Sequence, residues 1–343
     1  MNKHLLLALT LCASLHGYGQ KMHQLASPDG NIQVSINISD KIYYDIVCQK
    51  DTLLKQCNLQ MQLGDEEAGN HPKLIKANRK SINESLKPII ALKHSTVSNK
   101  YNQLQLKFKG DYSVEFRAFD DGIAYRFITN KKGMIEVNNE IFQVNFPDNY
   151  LLHMQQPGGF KTAYEEEYRH VQSQEWKATG SMALLPLLID TRKAYKILIS
   201  ESALTDYPAL FLKSNDRNGM LSVFPKMPLE FGEDGDRSLK ILKEANYIAK
   251  TTGQRCFPWR YFVITKDDGQ LIENTMTYKL ADKNVLEETS WIKPGLASWE
   301  WWNGATPYGQ DVNFAAGCNL DTYRYYIDFA AHYGIPYIIC LLY

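Results

Sequence analysis

Three tryptophans and a carboxylate fall within four positions, Trp299-Glu300-Trp301-Trp302, followed by Asn303 and Gly304 and, after a gap, by Asp311 and Asn313. Half of the chain's six tryptophans are spent there. Indole faces stack on the apolar faces of sugar rings, and Asn, Asp and Glu beside them bond the hydroxyls. The plainer reading is a strand packing its aromatics into a core. A second chemistry-bearing stretch is Tyr164-Glu165-Glu166-Glu167-Tyr168, three carboxylates in a row. Such a run suits a hard cation that wants oxygen ligands, or is simply a solvated acidic turn. His153 and His170 stand alone in the sequence and read as surface or satisfied core histidines. No Gly-x-Ser-x-Gly elbow, His-Glu-x-x-His pair or Walker loop is present.

The elements that must position these residues change character along the chain. From Lys21 to about residue 265 the pattern is β. Residues 31–38 alternate apolar and polar behind an Asp29-Gly30 turn. Leu104, Leu106 and Phe108 alternate with polar neighbours, Val114, Phe116 and Ala118 follow, and Asp120-Asp121-Gly122 turns the chain into residues 123–127. That pair reads as a hairpin. Residues 184–189 and 195–200 make another pair around Asp190-Thr191-Arg192. Many strands with turn signals between them indicate a sandwich. Between Asp267 and Ala281, Leu271, Asn274, Thr275 and Tyr278 have helical spacing and predict a connecting helix.

After Pro294-Gly295 the pattern becomes α/β. A strand is expected over residues 296–302. A helix follows, capped by Asp321, with an apolar face of Tyr323, Tyr326, Ile327 and Ala330. Gly334 suits its C-cap, and Ile335 to Leu342 form a second, parallel strand. This is one right-handed β-α-β unit. It cannot bury its own apolar faces, and a barrel needs about eight such repeats. The expectation is therefore a fragment or a truncated gene product.

The chain has 343 residues, enough for two domains, with 44% hydrophobic content and formal net charge +0. Nothing in that balance points to nucleic acid. Met1 to Gly19 reads as a cleaved signal peptide, with an apolar run too short to span a bilayer. Cys12 lacks the small residue that usually precedes a lipidated cysteine. The remaining cysteines, Cys48, Cys57, Cys256, Cys318 and Cys340, have no zinc spacing and are expected as buried free thiols, although Cys48 and Cys57 could pair if adjacent strands hold them.

Several of these segments together resemble glycoside hydrolase family 97. They are the signal peptide, residues 25–31, 114–127, 257–260 and 290–295, the Trp-rich strand and residues 322–331, in the family's order. The resemblance implies a β-super-sandwich N-terminal domain, a helical linker and a (β/α)8 catalytic barrel. On this chain these would be residues 20–266, residues 267–293 and, from residue 294, the first β-α-β unit of an incomplete barrel. It implies a periplasmic or secreted bacterial exo-α-glucosidase or α-galactosidase, a partner saccharide with α-linked glucose or galactose, and Ca2+ as cofactor. Glu165 matches a calcium ligand of the family, with Glu166 or Glu167 taking its place if the register slips. Glu300, Trp301, Trp302 and Asn303 fall at the carboxyl end of the first barrel strand, where they would line the sugar pocket. The catalytic carboxylates are expected downstream of Tyr343, so the chain itself is expected to be inactive. The alternative function is a non-catalytic carbohydrate-binding β-sandwich protein.

Overall fold

The structure is a computed structural model that describes residues 21–235, 238–299 and 306–340. They form two compact units. The first gathers the described residues up to Ser85, Ser98–Leu229 and Glu244–Asp282; the second gathers Leu86–Val97, Glu230–Lys243 and the chain from Lys283 onward.

The first unit is built on antiparallel β structure, with 17 strands hydrogen-bonded into one system. Its axis is the 24-residue strand Gly122–Asn145. This strand is long enough to take different partners along its two edges: Tyr112–Phe119, Trp259–Thr265, Ala249–Cys256, Gly219–Val223 and Asp51–Leu63. The hairpin expected around Asp120-Asp121-Gly122 is present, with Val114 opposite Phe127, Phe116 opposite Tyr125 and Ala118 opposite Ile123. So is the pair around Thr191, with Leu187 opposite Ile199 and Asp190 opposite Lys196.

Period-two alternation puts one face of each strand inside. Val34, Ile36, Tyr44, Leu104, Phe116, Tyr125, Phe142, Leu152, Ile189 and Phe262 belong to a single buried cluster. Its aromatic centre is a run of ring contacts, Phe262 to Phe142 at 5.8 Å, Phe142 to Tyr125 at 6.3 Å and Tyr125 to Phe116 at 5.6 Å. Such offset and tilted pairs stabilise beyond the area they bury.

The strand Trp259–Thr265 is buried on both faces. Its outer face is covered by Met276 and Leu280, together with Tyr101, Phe119 and Ala124. Where one connecting helix was expected over residues 267–281, two short ones form, Asp268–Glu273 and Met276–Leu280. Asn274 breaks them: its backbone is extended (φ −63°, ψ 137°) and its Oδ1 accepts from Met276 N at 2.8 Å. An Asn that bonds the backbone two residues on competes with helix continuation. The break turns Met276 and Leu280 inward and leaves Tyr278 exposed.

Cys48 and Cys57 are buried free thiols and do not pair, while the expectation of burial is corrected for Cys256, Cys318 and Cys340, which are exposed. Burial pushes the Cys57 thiol up to about 12, so it stays protonated.

In the second unit, Ala297–Trp299 and Tyr337–Ile339 pair in parallel, Ser298 opposite Ile338, with the helix Leu320–His332 between them in sequence. The expected β-α-β unit is therefore present; the described residues form no barrel. The N-cap is Asn319 rather than Asp321. Asn319 has extended backbone and its Oδ1 accepts from Thr322 N at 3.0 Å, which leaves Asp321 in the first turn, where its charge favours the helix dipole. Gly334 is at φ 66°, and Ile335 N donates to Ala330 O at 2.8 Å, a helix stop only a residue tolerant of positive φ makes cheaply. Of the expected apolar face, Ala330 is buried, Tyr323 and Tyr326 are half-buried and Ile327 is exposed. A two-stranded ribbon, Pro228–Glu233 with Leu239–Glu244, stands as a separate sheet.

Candidate functional site

The acidic stretch lies on the loop joining the antiparallel strands Leu151–Met154 and Arg169–Gln172. The loop has no regular structure of its own and is held by aromatic side chains. Phe160 and Tyr164 both rest on Phe211, with ring centroids 5.0 and 5.9 Å away. The Tyr164 hydroxyl donates to Phe160 O, and Gln155 Nε2 donates to Glu166 O at 2.6 Å. Tyr164 sits at φ 58°. A bulky L-residue in the left-handed region stores strain that the surrounding contacts must hold. Glu165, Glu166 and Glu167 follow it, all exposed.

The base of this loop carries a feature the sequence hid. His153 and His170, 17 residues apart, are directly opposite in the strand pair, and their Nδ1 atoms are 2.7 Å apart. The reading of two isolated histidines is therefore corrected. Register, not spacing, joins them.

Glu300, Trp301, Trp302 and Asn303 lie outside the described residues. Trp299 ends its strand half in solvent, 42% exposed. Asp311 accepts from the Tyr325 hydroxyl at 3.4 Å.

Residues 25–282 match the family described as "Glycosyl-hydrolase 97 N-terminal". The chain belongs to glycoside hydrolase family 97.

The family 97 chain is 34% identical to the retaining alpha-galactosidase of Bacteroides thetaiotaomicron, over 99% of this chain and 53% of that protein. It is 28% identical to a probable retaining alpha-galactosidase of Streptomyces bingchenggensis, over 69% of this chain and 33% of that one. It thus spans about half or less of the curated relatives it matches. In fold it is similar to a family 97 enzyme of Pseudoalteromonas sp. strain K8 solved with acarbose. The TM-score is 0.76 at 23% identity, over 92% of this chain and 46% of that one. A beta-arabinopyranosidase structure matches with TM-score 0.74 at 20% identity, over 92% of this chain and 50% of that one.

Calcium takes about 6–8 oxygen ligands. Among the described residues no three His, Cys, Asp or Glu side chains come together as a metal cluster. Glu165 and its neighbours are consecutive on an exposed loop and do not by themselves build such a shell. The described residues of the family 97 chain therefore do not fit calcium as a complete site.

One pair of glutamates does meet, and reading by sequence missed it. Arg260 donates Nε to Glu140 Oε1 and Nη2 to Glu140 Oε2, both at 2.8 Å, and its Nη1 reaches Glu201 Oε2. Tyr207 donates its hydroxyl to Glu140 Oε2 at 2.9 Å. Two carboxyls in different settings are the pattern of an acid and a base, and burial does push Glu201 above its ordinary range despite Arg260. Yet Arg260, Glu140 and Glu201 are 1%, 3% and 12% exposed, which leaves no room for a sugar ring. The cluster is structural. Its sequence signal was Arg260 in an otherwise aromatic and apolar strand, where a charge needs a partner.

Proposed function

We propose that this chain is the N-terminal part of an exo-acting α-glycosidase that hydrolyses terminal α-galactosyl linkages with retention of configuration, and that it is inactive alone. The observation that carries the reading is its 34% identity, along 99% of its length, to a retaining alpha-galactosidase. Terminal α-glucosyl linkages are the alternative substrate. A retaining hydrolase needs two carboxyls about 5–5.5 Å apart, one a nucleophile and the other a proton donor of raised pKa. Glu140 and Glu201 are excluded from these roles by burial and by Arg260. The role left to the described part is a rigid β platform carrying the Glu165 loop. In the complete enzyme Glu165 supplies one oxygen to Ca2+, and Glu300, Trp301, Trp302 and Asn303 line the sugar pocket. The leader directs the product to the periplasm or outside.

Two measurements test this. The purified chain is assayed on aryl α-galactosides and α-glucosides; no turnover is expected, and turnover of either overturns the reading of an incomplete site. The nucleotide sequence after the Tyr343 codon is read in all three frames. Further barrel strands bearing carboxylates are expected, and their absence favours a stand-alone carbohydrate-binding protein instead.

A further inference from the structure

We propose that His153 and His170 together form a site for a late first-row divalent cation, Zn2+ or Cu2+, each giving its Nδ1. The two atoms already converge at 2.7 Å, with the rings edge to face at 73°. Four register pairs, from Leu151 opposite Gln172 to Met154 opposite Arg169, hold the two residues side by side. Buried Leu152 and Met154 fix which face of the sheet they share, because slipping by one residue would turn those apolar chains out.

Metal–nitrogen bonds of about 2.0–2.1 Å at ordinary bond angles place two ligand nitrogens about 2.9–3.3 Å apart. The rings must open by only a few tenths of an ångström, and exposed His170 has the freedom to do so. Water reaches that side and completes the shell. Imidazole nitrogen suits zinc and copper, whereas calcium prefers oxygen, so the pair is distinct in kind from a carboxylate site at Glu165.

The proton count balances. In the neutral pair one Nδ1–H donates to the other Nδ1. The cation takes the place of that hydrogen, and the donor ring carries its proton on Nε2 instead. A singly protonated pair releases one proton to solvent, so affinity falls as pH falls. Asp190 on the adjoining strand favours the cation, while Arg192 and Lys196 oppose it. The expected site is consequently weaker than one with three or four ligands. Metal there ties together the two ends of the loop that carries Glu165.

The test is calorimetric titration of the untagged chain with Zn2+ and with Cu2+ at neutral pH, beside His153→Ala, His170→Ala and the double variant. One equivalent is expected. Each single variant should lose affinity on the order of 10–100-fold, the loss that even a supporting outer partner costs a metal site. NMR of the unaltered chain reads the same site without relying on a variant's folding. Cu2+ should broaden the His153 and His170 ring signals first. Binding that survives in the double variant, broadening centred on His23, His71, His94 or His332, or no binding at all would overturn the proposal.

Discussion

Arg260 and Glu140 lie 120 positions apart in the chain and meet inside it through two parallel N–H···O bonds of 2.8 Å. Planar guanidinium and carboxylate match in this fork geometry, and nothing but Arg presents it. Tyr207 and Phe224 flank the guanidinium, at 5.9 and 5.5 Å from their ring centroids. Burial works against the charge, but the two carboxylates outweigh it and raise the Arg260 pKa, so it stays a cation at any accessible pH.

Arg260→Met should therefore be severe. It leaves two buried carboxyls facing each other without a cation, a loss of about 3–5 kcal/mol. Arg260→Lys should also destabilise, since one ammonium cannot serve both oxygens of Glu140 and reach Glu201. Urea unfolding measures both. Substituting all three charged residues by apolar ones of similar volume should recover much of the loss; unchanged stability in Arg260→Met would sink the account.

Trp259 is clamped on the opposite face of the same strand. The Arg117 and Arg126 guanidinium carbons lie 4.4 and 4.2 Å from its ring centroid, and both arginines bond Glu115. Trp259→Ala should cost about 3–5 kcal/mol through the cavity it opens. It should also strip the indole from Arg117 and Arg126 and leave their pairs with Glu115 more open to solvent, which a salt-dependent melting temperature would report.

Gly122 is required by close approach rather than by a turn. A Cβ there would lie 2.1 Å from Phe262 O, a backbone atom of the neighbouring strand. Gly122→Ala should destabilise by about 1–3 kcal/mol or more, as overpacking does. Gly158→Ala is the control, because a Cβ at Gly158 meets nothing within 4 Å. Equal midpoints for the two variants would refute the distinction.

Burial, and then the neighbouring His170, hold His153 below its ordinary value of 6.5. A base with a depressed folded pKa resists protonation in the folded state. Its contribution to stability is present above the unfolded pKa and is lost as pH falls through the folded one. The melting temperature should therefore decline as pH drops below about 6.5. His153→Gln should flatten that part of the profile. An NMR titration in which His153 protonates at or above its ordinary value would contradict the sign.

Much of the β framework was legible because alternation is local: residues 32–38, 104–108 and 114–127 carry their inward face in their own spacing. The β-α-β unit at the other end was legible for the same reason. The sites were less so. Helical spacing over residues 267–281 concealed the stop at Asn274, whose side chain prefers a backbone two residues away. Residues 300–303, expected to line a sugar pocket, lie outside the described structure, so that expectation rests on family resemblance.

By itself the sequence determined the β-rich class, the hairpin turns, the helix stop at Gly334 and the family, since these depend on short-range pattern and on ordered motifs. Only the tertiary structure decided that Arg260 pairs with Glu140 and Glu201, that Gly122 faces a backbone oxygen, and that His153 stands against His170. Strand register sets those meetings, and register is the outcome of all the apolar faces being buried at once, which no short stretch of residues encodes.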